Sequence, residues 1–321
     1  MERTANLEVS PVKEAADRLL ANISRVIVGK QSTIELVLVA LLCEGHILIE
    51  DVPGIGKTIL AKATARSLGC AFKRIQCTPD LLPSDITGIH YYNQKSQEFE
   101  YRPGPVMTNV LLADEINRAT PRTQSCLLEC MQEQQVTVDL ATVPLPRPFL
   151  IIATQNPIEL EGTFPLPEAQ LDRFLVRLRL GYPTEEEERL VLSRFQQSNP
   201  IETLTSVMES KELLRLQKLC RQVYIDDAVR DYVVAITRAT RGHPGIELGA
   251  SPRASLGLHI ASQALAAIRG RAFVIPDDVK HLAVPALAHR LIPKRETRLR
   301  GKSLEDVVND VVARVPVPVE N

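Results

Sequence analysis

The sequence predicts an α/β domain built on a parallel sheet flanked by helices, followed by an α-helical domain. Three observations carry this. Short apolar runs alternate with helix-period stretches through the first half, which is the pattern of βαβ units. Several of those runs are nearly continuous Val, Ile and Leu, as strands covered on both faces require. After Tyr182-Pro183 the strand signal fades and helical periodicity takes over.

The strand-like runs are His46–Glu50, Cys70–Gln76, Val110–Ala113, Phe149–Thr154 and Leu175–Leu180, with Ile59–Leu68 and Thr123–Gln134 reading as helices between them. Thr184 ahead of Glu185–Glu188 is an N-cap followed by acids in the first turn, where they offset the helix dipole. Helical pattern then continues to about residue 313. A boundary near 183 divides the chain into an α/β domain, residues 1–183, and a helical lid domain, residues 184–321. A chain of 321 residues is long for one core and comfortable for two.

Composition narrows the function. Apolar residues make up 45% and charged residues 24%, the balance of a globular protein rather than a disordered or fibrous one. A net charge of −1, from 38 basic and 39 acidic side chains, speaks against a general nucleic-acid binder. The basic cluster Lys294, Arg295, Arg298, Arg300 and Lys302 has no interleaved aromatics and reads as a solvated charge run. The longest apolar run, Ile34 to Cys43, is too short to cross a bilayer, and no secretory leader is evident. The six cysteines include no CxxC pair; Cys126 and Cys130, one helical turn apart, read as core-facing thiols. A reducing, cytoplasmic compartment is the expectation.

The chemistry begins at Val52-Pro53-Gly54-Ile55-Gly56-Lys57-Thr58, which follows an apolar strand and precedes an amphipathic helix starting with Ile59. This is the context of a phosphate-binding loop. Gly54 and Gly56 let backbone N–H groups turn toward an anion, and the helix N-terminus adds partial positive charge. Lys57 is expected to reach the β- and γ-phosphates, and the Thr58 hydroxyl to ligate Mg²⁺. Asp51 stands where the general pattern GxxxxGK[ST] has its first glycine.

Val110-Leu111-Leu112-Ala113-Asp114-Glu115 is an apolar strand ending in two carboxylates. Successive strand residues point to opposite sides, so the two acids have different roles. Asp114 is the expected Mg²⁺ partner beside Thr58, and Glu115 the general base that polarises water. Asn156, in Ala153-Thr154-Gln155-Asn156-Pro157, is the candidate to hold that water and sense the γ-phosphate, with Gln155 a nearby competitor.

Together, Glu50-Asp51-Val52-Pro53-Gly54-Ile55-Gly56-Lys57-Thr58, Asp114-Glu115-Ile116-Asn117-Arg118-Ala119, Thr154-Gln155-Asn156-Pro157 and Pro167-Glu168-Ala169-Gln170-Leu171-Asp172-Arg173-Phe174 resemble the MoxR family of AAA+ ATPases. The resemblance runs from about Val26 to Arg253, and Asp51 in place of glycine is usual in that family. It implies a P-loop NTPase fold with a helical lid, ATP or ADP with Mg²⁺ as cofactors, and a homo-oligomeric ring, commonly a hexamer. It further implies that Arg173 is an arginine finger acting on the adjacent subunit's nucleotide, with Arg118 and Arg122 as rivals. Ser251-Pro252-Arg253 reads as an N-cap, a first-position proline and a first-turn arginine. By the resemblance Arg253 is the second sensor, contacting the γ-phosphate in cis. Ile27-Val28-Gly29-Lys30 is similar to the segment lining the adenine pocket, with Ile27 and Val28 as apolar contacts.

Two stretches read as inserted β-hairpins, Gly88 to Pro105, which carries Tyr91, Tyr92, Phe99 and Tyr101, and Gln135 to Pro148. The resemblance implies a ring motor that remodels or activates a client protein with a von Willebrand factor A domain partner. A magnesium-chelatase-like motor subunit and an MCM-type nucleic-acid translocase are the alternatives.

Overall fold

The computed structural model describes residues 7–138, 141–158, 162–197 and 199–318. Two helices open the chain, α1 (Ser10–Ser24) and α2 (Gln31–Leu42). Then β1 (Ile47–Glu50), α3 (Lys57–Ser67) and β2 (Phe72–Gln76) form the first βαβ unit. A short helix α4 (Pro83–Thr87) leads into the hairpin β3 (Gly88–Asn93) and β4 (Glu98–Pro103). Next come β5 (Val110–Asp114), α5 (Pro121–Glu133), a second hairpin β6 (Gln135–Val138) and β7 (Ala141–Pro144), and β8 (Leu150–Gln155). The tip of that hairpin lies outside the described residues. A one-turn helix α6 (Glu168–Leu171) and the strand β9 (Val176–Leu178) complete the sheet.

That sheet has five strands in the order β2-β5-β8-β1-β9, every pair parallel. Parallel strands need crossovers that lay helices on both faces, so the central strands are apolar throughout: β5 is buried along its whole length. The loops after β1, β5 and β8 therefore gather along one edge, where α/β folds build their sites. Both inserted hairpins form two-stranded antiparallel sheets of their own.

After the sheet come α7 (Glu185–Gln197), α8 (Ser210–Cys220), α9 (Asp227–Gly242), β10 (Ile246–Leu248), α10 (Pro252–Ile268), α11 (Pro276–Leu287), β11 (Ile292–Pro293), α12 (Arg295–Leu299) and α13 (Leu304–Arg314). Thr184 and Glu187 form the reciprocal cap of α7, Glu187 N–H donating to Thr184 Oγ1 and Thr184 N–H to Glu187 Oε2. Packing does not stop where the secondary structure changes. One apolar cluster joins α1 and α2 to β1 and β9 and runs on through α10, α11 and α13, from Val9 to Val311. No helix among the described residues is long and apolar enough to cross a membrane.

Candidate functional site: a split nucleotide site

The phosphate-binding loop leaves β1 at the C-terminal edge of the sheet. Gly54 and Gly56 sit at φ +85° and +96°, and a Cβ on either would meet nothing within 4 Å, so backbone conformation rather than crowding calls for glycine. Gly56 is the N-cap of α3, and Lys57 and Thr58 form its first turn, where unpaired N–H groups point outward. Lys57 is buried, and its Nζ donates to the main-chain carbonyl of Asp51 at 2.7 Å. Burial pulls its ammonium below the ordinary value, while Asp114, Asp51 and Glu115 pull it back up. Pro53 and Gly54 are exposed, and Ile55, Thr58 and Ile59 half-buried.

Ile27 is buried and Val28 half-buried on the segment between α1 and α2. Gly29 takes φ +71°, and a Cβ there would overlap the Glu187 carboxylate. Lys30 Nζ donates to Tyr182 O at 3.0 Å and lies 3.5 Å from Glu187 Oε2. The expected adenine-side segment is thereby pinned to the start of α7.

The acidic pair divides, but not by alternation along a strand: β5 ends at Asp114 and Glu115 lies beyond it. Asp114 accepts from Thr154 Oγ1 at 2.5 Å on one oxygen and from Arg74 Nη2 at 2.7 Å on the other. Glu115 turns out of the strand at φ +56°, its own N–H donating to Thr154 Oγ1 at 2.9 Å. Its carboxylate accepts from Gln76 Nε2 at 2.9 Å and pairs with Arg118 Nε at 3.1 Å. Arg118 thus serves the acid of its own chain, and Arg122 is exposed at the start of α5.

β8 lies between β5 and β1, so its C-terminal tip falls between the acids and the loop. Gln155 Nε2 donates to Glu50 Oε1 at 2.9 Å. Asn156 is buried, with its Oδ1 accepting from Ile158 N at 3.1 Å. Of the two candidate amides, Gln155 is engaged with Glu50.

The remaining arginines stand at the other edge. Leu175 N donates to His46 O at 2.9 Å, which puts the Asp172-Arg173-Phe174 segment beside the entrance to β1, whereas the phosphate loop leaves its exit. The intervening five residues of extended chain span ~16 Å, beyond the reach of an arginine side chain. Arg173 Nη1 donates to Leu128 O on α5 at 2.6 Å. Arg253 shares a cavity of about 210 Å³ with Arg173, Glu44, His46, Gln132 and Arg290, and its Nη2 lies 3.4 Å from Gln132 Oε1 on α5. Arg253 thus stands beside Arg173 and His46, on the entrance side of β1, whereas the expectation sets it at the phosphates of its own chain's loop. Ser251 caps α10 as the sequence suggests, accepting from Ala254 N at 3.2 Å, and Arg253 in its first turn lies on the His46 side of the sheet.

Several residues here escaped the sequence reading. Arg74 and Gln76, which hold the two acids, alternate along β2; their only signal was polarity in an edge strand. Asp172 accepts from Ser251 Oγ at 2.9 Å and faces Arg290 Nε at 3.3 Å, while Arg290 Nη2 donates to Phe174 O at 2.7 Å. Arg290 is buried, and Asp172 with Phe174 O is what compensates its charge. Nothing local in the sequence joins positions 172, 251 and 290.

A loop with paired acids on a parallel sheet, capped by a helical lid, defines an AAA-type ATPase, and comparison with known proteins agrees. The family described as "ATPase family associated with various cellular activities (AAA)" matches residues 46–176, and the AAA lid domain matches residues 238–311. The chain is 52% identical to YeaC of Bacillus subtilis, an uncharacterized protein, over 94% of this chain and 95% of that one. It is 44% identical to the chaperone MoxR1 of Mycobacterium tuberculosis over 95% of this chain and 83% of that one. A crystal structure from Cytophaga hutchinsonii, provisionally classed as an ATPase, superposes with a TM-score of 0.90 at 37% identity, covering 96% of each chain. The chain belongs to the MoxR family of AAA+ ATPases.

Proposed function

We propose that this chain hydrolyses ATP at sites completed between subunits of a ring and uses the cycle to remodel or activate a client protein. The observation that carries the reading is the separation of two half-sites. The loop, the acids and Asn156 lie at one edge of the sheet, and Arg173 with Arg253 at the other. Charge building on a transferring phosphoryl group needs cations near it, and in one subunit those arginines cannot reach. A neighbour's can.

In this reading the backbone of Gly54 to Lys57 cradles the phosphates, Lys57 exchanging the Asp51 carbonyl for them, with Pro53, Ile55 and Ile59 around the nucleotide and Ile27 and Val28 against its base. Thr58 and Asp114 would hold Mg²⁺. Their oxygens are the hard donors this ion takes, and Asp114, with Thr154 and Arg74 already on it, suits holding a metal-bound water. Mg²⁺ would neutralise charge on the β- and γ-phosphates. Glu115 takes the proton of the attacking water, its carboxylate steadied by Gln76 and Arg118, and Asn156 orients that water. Arg173 and Arg253 act together on the neighbour's γ-phosphate.

A sixfold ring and a von Willebrand factor A domain partner belong to this reading, and the relative called a chaperone supports a client-directed role. The hairpin β3–β4 exposes Tyr92 and Phe99, 52% and 74% accessible, which suits it to client contact. The test is ATP turnover against protein concentration, with particle mass measured with and without ATP and Mg²⁺. Turnover rising more steeply than concentration, together with ATP-driven assembly, is expected. Strictly proportional turnover from a stable monomer would overturn the split site.

A further inference from the structure

We propose that Asp51 is a positioning residue whose carboxylate ties the phosphate-binding loop to the linker leaving the sheet for the lid, so that the loop and Lys57 stand correctly for hydrolysis only while that tie holds. This rests on the reading that the loop binds ATP. Asp51 is absent from the residues with positive φ, so the backbone here does not need the glycine that the general loop pattern has at this position. What the position supplies is a carboxylate. Its Oδ2 accepts from the main-chain N–H groups of Leu180, at 2.8 Å, and Gly181, at 2.7 Å. Its Oδ1 accepts from Val52 N at 2.9 Å. Three N–H bonds to one carboxylate are charge-assisted and stronger than neutral ones.

Both ends of the tie matter. On the loop side, the carbonyl of the same residue accepts from Lys57 Nζ at 2.7 Å, so displacing Asp51 displaces the partner of the phosphate-binding lysine. On the linker side, Gly181 takes φ +64°, a conformation that glycine adopts without strain. Tyr182 O then accepts from Lys30 Nζ, and Thr184 and Glu187 begin α7. The neighbouring Glu50 makes a parallel link: it accepts from Arg177 Nη1 at 3.0 Å, and Arg177 Nη2 reaches Glu305 on α13 at 2.5 Å. The end of β1 is thus fastened to β9 on one side and to the lid's last helix on the other.

Asp51→Gly restores the general loop pattern and separates the two readings. Were Asp51 a mere stand-in for glycine, the variant would match or exceed the parent. With the full chain, ATP affinity is expected to stay within about threefold while kcat falls on the order of 10- to 100-fold, the cost of slight misplacement. Asp51→Asn, which keeps an oxygen for the linker amides, should fall between, and carries the test if the glycine variant does not fold. Hydrogen exchange supplies a second readout: ATP should slow exchange across residues 180–187 in the parent and leave it unchanged in Asp51→Gly. Unchanged kcat, or affinity lost in step with kcat, would overturn the proposal, the latter because Asp51 would then belong to the cradle itself. Failure of the parent to bind ATP would instead overturn the ATP reading, and is recognised by appearing without any substitution.

Discussion

Asp114 and Glu115 are neighbours in sequence and are held by different partners, because one ends the strand and the other turns away from it at φ +56°. Thr154 bridges them, giving its hydroxyl hydrogen to Asp114 and accepting the Glu115 N–H. Their separate duties predict separate phenotypes. Lys57→Ala should lose ATP binding, read with a fluorescent ATP analogue, whereas Glu115→Gln should bind ATP as the parent does and lose turnover by at least ~100-fold. Normal turnover in Glu115→Gln would remove it as the base. The acids and the loop were legible because strand, polar tip and glycine spacing are all local signals. Gln76 and Arg74 were not, since what gives them meaning is that β2 and β5 pair in register, Gln76 opposite Asp114.

At the scale of elements, α5 is the member that touches both half-sites. It starts just beyond Glu115 and Arg118, and its far end backs Arg173 through Leu128 O and Arg253 through Gln132. Thirteen residues at 1.5 Å each make it a strut of ~20 Å. Opposite it, Asp172 fastens the Arg173 segment to the cap of α10, on which Arg253 rides. Asp172→Ala frees Ser251 and leaves buried Arg290 with only the main-chain carbonyls of residues 172 and 174 and no carboxylate, so both arginines lose their common mount. The expected outcome is ATP affinity within about threefold of the parent and turnover reduced at least ~10-fold, since the subunit's own loop is at the other edge. Loss of ATP affinity in equal measure would show instead a general effect on the fold. The sequence revealed the cap Ser251 and the first-turn Arg253, but a cap says nothing about which way its helix faces, and so could not show that Arg253 stands beside Arg173.

For the molecule as a whole, the core runs without a break from the N-terminal helices through the sheet into the lid, and two buried histidines lie along that junction. His46 accepts from Ile151 N through Nδ1 at 3.0 Å, so its proton sits on Nε2, which donates to Met131 O at 3.0 Å. Both bonds need the neutral ring, and burial pushes its pKa from 6.5 down to about 4. His289, bonded to Phe174 O, is held well below the ordinary value for the same reason. The unfolded chain takes up a proton near pH 6.5 that the folded chain refuses. Stability from His46 is therefore fully present above that pH and drains away as pH falls toward about 4, by roughly 3 kcal/mol at most. Urea midpoints should drop between pH 7.5 and pH 5, and His46→Asn should flatten that slope while lowering stability at pH 7.5. An unchanged slope would exclude His46 as its source. The sequence showed a strand starting at His46 but not that this residue would be sealed beneath α5.

The two half-sites lie at opposite edges of one sheet, and this sets the symmetry of any assembly built on them. In the proposed ring the contact is heterologous, one face of each subunit meeting a different face of the next. An open head-to-tail chain of n subunits has n − 1 complete sites, with an unmatched loop at one end and unmatched arginines at the other. Only closure makes every site equal. A lock-washer with a rise per subunit would leave a single seam whose loop faces no arginine, and that seam could pass from subunit to subunit as each in turn hydrolyses and lets go. Polarity within a single parallel sheet would then become direction around a ring.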